Sequence, residues 1–378
     1  MSRRDRRPES LPLDPGVLRD ERVCEFQSQL AVEAHGGSVV QPWRDRFQAA
    51  ETAELHVVRD ANELADASFG QVVVHLQKSR AATFDDLTQA WRLLRDGGQL
   101  LFTGTNTLGV VSAVKRLASQ LDEPGIIVAN RARARVVRFK KQSGPSPRRE
   151  TTASFAASVE SISGQRFEFL IETRPGVFSA KKLDAGSELL LEALPAFVGH
   201  KAPRRIVDLG CGTGVLGLAA AMLWPEAEIL LADADARAVE CARANIDRLN
   251  ASQPGLASRC RVAWWDTREK PLESRFNLAL ANPPFHHRGA EVDLGPALGL
   301  VESLSGWLGR NGRALLVANR TLPYEGPLAQ IGQVETLRSA RGYKLLSLKR
   351  SSRSSGARGR SAPGSRSGGR TRAPTRSR

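Results

Sequence analysis

The chain has 378 residues, which suggests two domains, and its 41% hydrophobic and 25% charged residues are typical of a soluble globular protein. No apolar run approaches the ~18 residues of a membrane helix, and no apolar segment follows the charged N-terminus, so we expect neither a membrane protein nor a secreted one. The four cysteines are scattered without a CxxC pair, which argues against a disulfide framework or a zinc module. We therefore expect a cytoplasmic protein without a metal or a membrane partner.

The positive charge is concentrated at the C-terminal end. The net charge is +15, but ten Lys and Arg and no acid lie between Lys349 and Arg378. Residues 350–378 consist mainly of Arg, Ser, Gly and Pro, a composition that cannot bury enough apolar surface to fold, so we predict a disordered basic tail. Arginines neutralise phosphates, and the tail is therefore expected to bind a polyanion such as RNA. A role in solubility alone is the alternative.

In chain order, residues 1–20 are charged and rich in proline and are predicted to form a flexible arm. Residues 21–142 form a first domain, in which an apolar strand at 68–75 precedes a helix and a second strand at 100–103. A linker follows at 143–165, where Gly144, Pro145 and Pro147 interrupt any regular element. Residues 166–349 form the second domain, and the basic tail completes the chain.

The second domain alternates apolar strands and helices, the pattern of a parallel sheet buried on both faces. Strands are predicted at 206–209, 228–232, 261–265, 276–281 and 314–318, and helices at 215–223, 236–249 and 294–308. Two further strands at 333–338 and 344–349 form an antiparallel hairpin, which gives a sheet of seven strands. The predicted fold is α/β, with two tandem Rossmann-like domains.

The first domain repeats the order of elements of the second, which indicates a tandem duplication. Residues 76–79 (LQKS) correspond approximately to the NPPF sequence at 282–285, and the first domain has no glycine-rich turn. We therefore expect the N-terminal domain to be degenerate and non-catalytic.

A glycine-rich motif, DLGCGTG at 208–214, follows a predicted strand and opens a predicted helix. Glycines allow the backbone to approach a ligand, and the helix N-terminus offers free N–H groups. Asp233 ends the next strand, where a carboxylate can accept both hydroxyls of a ribose. Residues 212–217 also satisfy GxGxxG, so a nicotinamide or flavin dinucleotide is an alternative. Asp208, directly before the turn, can reach an ammonium group and favours S-adenosylmethionine.

A second motif, Asn282-Pro283-Pro284-Phe285, follows the fourth strand of the domain, at the edge where such sheets bind ligands. The amine of a base or an amide is a poor nucleophile because its lone pair is delocalised. The Asn282 oxygen and the Pro283 carbonyl can accept its two hydrogens and direct the lone pair at a methyl group. Phe285 offers a face for stacking. The motif predicts methylation of a planar amine.

With these motifs, the second domain resembles a class I S-adenosylmethionine-dependent methyltransferase, and it is most similar to the bacterial ribosomal RNA guanine-N2 methyltransferases. That family has two tandem methyltransferase-like domains, of which the N-terminal one is inactive. The likeness is carried by GVFS at 176–179, LDAGS at 183–187, DLGCGTGVLGL at 208–218, ANPPFHHR at 281–288 and VANRTLPY at 317–324. The start of the N-terminal domain departs from the family because it is shorter, and we expect its sheet to be incomplete.

The resemblance implies the following site. Cofactor contacts are assigned to Asp208, Gly210, Gly212, Gly214, Asp233 (ribose), Asp266 (adenine amine), Phe178 and Asp184. For Phe178 and Asp184, ordinary packing and helix capping are the alternatives. The catalytic residues are assigned as Asn282, Pro283 and Phe285.

The leading hypothesis is an enzyme that makes N2-methylguanine in ribosomal RNA, acting as a monomer on the RNA or on a ribosomal subunit, with a preference for the large subunit. NPPF-type motifs also serve adenine N6 and protein glutamine N5, which remain alternatives. A non-catalytic RNA-binding assembly factor with a vestigial methyltransferase fold is the alternative from another class. Binding of S-adenosylmethionine distinguishes it from an enzyme.

Overall fold

The structure is a computed structural model that describes residues 8–149, 152–178, 182–283, 286–288, 291–293 and 295–351. Within these ranges, no helix is long and apolar enough to cross a membrane.

The N-terminal domain contains one sheet of seven strands, covered by helices. The strands are β1 (Val23–Phe26), β2 (Gly37–Val40), β3 (Val57–Val58), β4 (Phe69–His75), β5 (Leu94–Thr105), β6 (Ile126–Arg131) and β7 (Ala134–Lys140). The helices are α1 (Leu30–His35), α2 (Arg44–Thr52), α3 (Arg80–Leu93) and α4 (Val110–Leu121). The strand order is β3-β2-β1-β4-β5-β7-β6, so the expectation of an incomplete sheet is wrong.

The C-terminal domain begins with a hairpin of β8 (Ala153–Glu160) and β9 (Arg166–Thr173). Its sheet strands are β10 (Arg205–Leu209), β11 (Glu228–Asp233), β12 (Cys260–Trp264), β13 (Phe276–Ala281), β16 (Leu308–Asn319), β17 (Gly332–Ala340) and β18 (Tyr343–Arg350), and β14 (His286–Arg288) and β15 (Glu291–Asp293) form a short separate hairpin. The helices are α5 (Ala185–Val198), α6 (Val215–Leu223), α7 (Ala236–Ser252), α8 (Leu256–Arg259), α9 (Gly295–Trp307) and α10 (Glu325–Ala329).

The two sheets have the same topology. The C-terminal order is β12-β11-β10-β13-β16-β18-β17, which matches the N-terminal order position by position, including the antiparallel last pair. Both sheets also carry a register shift at the same place, between Phe69 and Gln71 in β4 and between Phe276 and Leu278 in β13. The duplication and the predicted α/β fold are confirmed, and the shared irregularity aligns the two domains residue by residue.

Three segments differ from the sequence-based expectations. Residues 8–13 of the predicted arm form a 3₁₀ helix whose Leu11 is fully buried, because the sheet needs an apolar cover there. The predicted linker 143–165 contains β8, and its Phe155 belongs to the C-terminal core. Arg350 of the predicted tail belongs to β18 and donates to the carbonyl of Leu308. The rest of the tail, from residue 352 onward, lies outside the described residues.

The domains meet through equivalent loops. The alignment places Pro42 and Arg44, after β2, at the positions of Ala234 and Ala236, after β11. The Arg44 N–H donates to the carbonyl of Ala234 (3.0 Å), and the Ala236 N–H donates to the carbonyl of Pro42 (2.9 Å). These reciprocal bonds are those of a two-fold symmetric interface. The N-terminal domain is thereby fixed against the loop that follows Asp233.

Candidate active site

The glycine-rich turn joins β10 to α6 at the carboxyl edge of the sheet. Gly210, Gly212 and Gly214 have φ values of +69°, +55° and +85°, in the left-handed region that favours glycine. A Cβ on Gly214 would lie 2.9 Å from Leu231, whereas a Cβ on Gly212 would meet nothing within 4 Å. Glycine at 214 is therefore required for packing, while the backbone at Gly212 faces open space that a ligand can fill.

Asp208 is fully buried at the base of this turn. Its Oδ2 accepts a hydrogen bond from the Gly217 N–H at 2.8 Å, whereas its Oδ1 has no hydrogen-bond partner among the described residues. Burial raises the pKa of Asp208 to about 7, because the charged form has lost its water. A buried carboxylate oxygen without a donor fits a cationic ligand group such as an ammonium.

Asp233 lies at the end of the neighbouring strand. Its Oδ2 accepts from the Gly212 N–H at 2.8 Å, and its Oδ1 accepts from the Asp235 N–H at 2.9 Å. Burial raises the pKa of Asp233 to about 6, although both backbone N–H groups oppose the change. Each carboxylate oxygen can accept a second bond, so the fixed carboxylate can still receive two hydroxyl groups.

Asp266 follows β12 and is tied to a neighbour. Its two oxygens accept from the Arg268 guanidinium at 2.7 and 2.8 Å, and Arg268 also pairs with Asp45 of the N-terminal domain at 2.8 Å. Burial raises the pKa of Asp266, but the hydrogen bonds and charge of Arg268 outweigh burial and hold the pKa below its ordinary value. The contact of Asp266 with the adenine amine stays a prediction. Its carboxylate already accepts hydrogen bonds from Arg268.

Asn282 follows β13, next to the glycine-rich turn, because β13 pairs with β10 up to Ala281 and Leu209. Its amide Nδ2 donates to Asp184 Oδ2 at 2.9 Å and to Ser187 Oγ at 3.0 Å. Both amide hydrogens are used, and the Oδ1 oxygen is left as the acceptor. The Tyr343 hydroxyl donates to the other oxygen of Asp184 at 3.3 Å.

Asp184 therefore contacts Asn282, although the sequence assigned it to the cofactor. It is also the N-cap of α5, where its Oδ2 accepts from the N–H groups of Gly186 and Ser187 at 2.9 and 3.1 Å. The structure thus shows the capping contact, and a cofactor contact of Asp184 stays a prediction. The sequence analysis missed Ser187 as a partner of Asn282 and Tyr343 as a partner of Asp184, although Ser187 lies in the LDAGS motif that it quoted.

The remaining assigned residues are Pro283, Phe178 and Phe285. Pro283 is buried directly after Asn282. Phe178 is 64% exposed, and Phe285 lies outside the described residues. Their roles stay predictions.

The same positions in the N-terminal domain carry different residues. The alignment places Glu25 at the position of Asp208 and His75 at that of Asn282, one residue before the stretch expected from the sequence. Glu25 Oε2 accepts from the Ala31 N–H at 2.7 Å, and Glu25 Oε1 lies 2.8 Å from His75 Nε2. These two side chains bind each other at the positions that Asp208 and Asn282 occupy in the other domain.

Comparison with known proteins places this geometry in a family. Residues 168–347 match the family model "Methyltransferase small domain". The chain is 30% identical to Ribosomal RNA small subunit methyltransferase C of Shewanella halifaxensis over 325 residues, which cover 84% of this chain and 86% of the relative. It is also 30% identical to the protein of that name from Escherichia coli, over 73% of this chain and 74% of the relative.

A solved structure has the same architecture. It is the T. thermophilus 16S rRNA N2 G1207 methyltransferase (RsmC) in complex with AdoMet and guanosine, which matches with a TM-score of 0.77 and 26% identity over 90% of this chain and 91% of that one. These relatives are named for the small subunit and its 16S RNA, so the preference for the large subunit has no support. The chain belongs to the ribosomal RNA guanine-N2 methyltransferase family.

Proposed function

We propose that this chain transfers a methyl group from S-adenosylmethionine to the exocyclic N2 amine of a guanine in small-subunit ribosomal RNA. The observation that carries the proposal is the fixed orientation of Asn282, whose two amide hydrogens are bound by Asp184 and Ser187. Because both amide hydrogens are used, only the Oδ1 oxygen is left to contact a substrate. This oxygen can accept a hydrogen bond from an amine. Family membership supports guanine over adenine or glutamine, the alternatives that the motif alone leaves open.

The residues at the turn fit the cofactor. The unpartnered Oδ1 of Asp208 would accept from the methionine ammonium, the backbone at Gly212 would approach the cofactor closely, and Asp233 would accept the ribose hydroxyls. S-adenosylmethionine, when bound, supplies a methyl group on a positively charged sulfur.

The chain then has to hold and aim the amine. Asn282 Oδ1 and the Pro283 carbonyl accept the two N2 hydrogens, which weakens the delocalisation of the nitrogen lone pair into the ring. With the amine held in this way, its nitrogen would face the methyl group that the cofactor would supply, and one N2 proton would leave to water. Positioning of this kind can supply most of the rate enhancement without a strong base.

The test is mass-spectrometric mapping of methylated guanines in ribosomal RNA from cells with the gene, without it, and with the Asn282→Ala variant. We expect one N2-methylguanine of the small subunit to disappear in the last two strains. Loss of a methyladenine instead, or of a large-subunit guanine, would contradict the proposal. If the ribosomal RNA were the same in all strains and a protein glutamine lost its methyl group instead, the glutamine alternative would replace the proposal.

A further inference from the structure

A second cleft, of about 470 Å³, lies at the carboxyl edge of the N-terminal sheet. Phe26 and Val40 form its apolar floor, and Arg59, which follows β3, and Asp86 of α3 line its sides. Arg237, from the C-terminal domain, closes it. Its volume is within the ~300–1,000 Å³ that is usual for small-molecule sites.

The cleft corresponds to only part of a cofactor site. Val58 pairs with Val40 as Ala263 pairs with Ala232, so the residues after β3 occupy the positions of those after β12, on the adenine side of the cofactor site proposed above. The methionine side is filled by Glu25 and His75. The cleft is therefore open at the position of the adenine part of the cofactor, and it is closed at the position of the methionine part.

Asp86 offers a hydrogen-bond acceptor to this cleft. Its Oδ2 accepts from the side-chain amides of Gln27 at 3.0 Å and Gln77 at 2.6 Å, and no group among the described residues donates to its Oδ1. Burial raises the pKa of Asp86 to about 7, since water is largely excluded. Such an oxygen is complementary to the N–H of a nucleobase.

Arg59 supplies a positive charge at the same cleft. Its guanidinium lies 5.7 Å from the ring centroid of Trp264, and in the part of the chain that the structure describes it forms no ion pair. Arg174, also in the lining, is about half exposed and pairs with Glu240 at 2.8 Å. A guanidinium without a carboxylate partner fits a phosphate.

We propose that this cleft binds a nucleotide, with the base on Phe26 and Val40, a base N–H donated to Asp86 and a phosphate on Arg59. The nucleotide can come from a single-stranded RNA or from free nucleoside monophosphate, which share this chemistry. The site is separate from the catalytic centre, and its existence does not depend on the methylation proposed above.

The experiment is calorimetric titration of the full chain, saturated with S-adenosylhomocysteine, with GMP, AMP and a five-nucleotide RNA. Asp86→Ala removes the acceptor, and Asn62→Trp blocks the cleft from an exposed lining residue without removing a buried contact. Asp96→Ala is the matched control, because Asp96 is exposed near the start of β5, at the opposite edge of the sheet. Thermal melts check that each variant is folded.

We expect Asp86→Ala and Asn62→Trp to weaken nucleotide binding at one site by at least tenfold, while Asp96→Ala and Asn282→Ala leave that site unchanged. Tighter binding of the RNA than of GMP and AMP identifies an RNA strand as the ligand, and equal or weaker binding identifies free nucleotide. Titrations that are identical in the wild type, Asp86→Ala and Asn62→Trp would overturn the proposal. So would binding that is lost only with Asn282→Ala.

Discussion

At the scale of the residue, Asp233 is the group whose removal tests the cofactor site most directly. Asp233→Ala should weaken S-adenosylmethionine binding by ~1.5–3 kcal/mol, the usual contribution of hydrogen bonds to a charged group. Calorimetry measures the change. Asp233→Asn is the control, since an amide oxygen can still accept one hydroxyl, and its loss should be smaller. Equal affinity of the alanine variant and the wild type would remove Asp233 from the site.

Variants of Asn282 and Ser187 distinguish an effect on the methyl-transfer rate from an effect on cofactor affinity. Asn282→Ala should lower the methyl-transfer rate by about two orders of magnitude with cofactor affinity nearly intact, because it removes an orienting acceptor. Ser187→Ala removes one of the two groups that fix the Asn282 amide and should lower kcat several-fold. Asp184→Ala should do the same and also destabilise α5 by ~1 kcal/mol through loss of its cap.

Single-turnover rates and melting temperatures distinguish these effects. If Ser187→Ala changed the cofactor Kd but not the rate, the orienting role of Ser187 and Asp184 would be wrong.

The buried Asp208 makes stability depend on pH. Its pKa in the folded protein is about 7, against ~3.9 when unfolded. The folded state therefore binds more protons than the unfolded state between these values, and the free energy of unfolding falls as the pH rises through them. Asp208→Asn removes the cost of the charge and can keep the bond to the Gly217 N–H. It should stabilise the cofactor-free protein by ~2–4 kcal/mol at pH 8 and have little effect at pH 4.

Denaturant melts at the two pH values measure this difference, and cofactor affinity should fall in the same variant. A stabilisation of the same size at both pH values would show that the pKa of Asp208 does not differ between the folded and the unfolded protein.

At the scale of the element, local pattern predicted the central strands and helices well. The bounds of β13 and α6 agree with the sequence prediction, because continuous apolar runs between turn residues depend on local composition. The first part of β16 was missed, since the turn at Arg310-Asn311-Gly312 interrupts the apolar pattern and Asn311 has a φ of +62°. The contact of Asp184 with Asn282 could not be predicted, because the two residues lie 98 positions apart and only the fold brings them together.

The contact between α2 and the loop after β12 is an element-scale feature that can be measured. Arg44 Nη2 donates to Glu269 Oε2 at 2.9 Å, and both side chains are about three-quarters buried. A double-mutant cycle of Arg44→Ala and Glu269→Ala should give a coupling free energy of ~0.5–3 kcal/mol in unfolding. Additive effects of the two substitutions would show that this pair does not hold the domains together.

At the scale of the whole molecule, two copies of one fold carry different side chains at equivalent positions. In the C-terminal copy, Asp208 Oδ1 has no hydrogen-bond partner among the described residues, whereas in the N-terminal copy Glu25 stands at the same position and binds His75. The equivalent loops of the two copies bind each other, so the degenerate domain is fixed beside the cofactor loop. The shared order of strands and helices in the two halves of the sequence predicted the duplication. The symmetric interface could not be predicted, because no local sequence pattern indicates it.

The basic tail gives the last prediction. A guanine inside an A-form helix hides its amine, so the enzyme must take an unpaired or flipped base, and flipping costs a few kcal/mol. Stacking on one aromatic ring returns only ~1–3 kcal/mol, and phosphate contacts must supply the rest. Residues 352–378 contain eight arginines and no acid. Deleting them, while keeping Arg350 in β18, should weaken RNA binding and make log K less steep in log salt.

The deletion should not change which guanine is methylated, because arginine contacts to phosphate carry no base readout. Salt titrations of binding for the full and shortened proteins, with mapping of the methylated site, measure both effects. Each arginine that contacts phosphate should contribute ~0.7–0.9 to the slope. An unchanged slope would mean that the tail does not bind RNA, and a changed target guanine would mean that it reads more than charge.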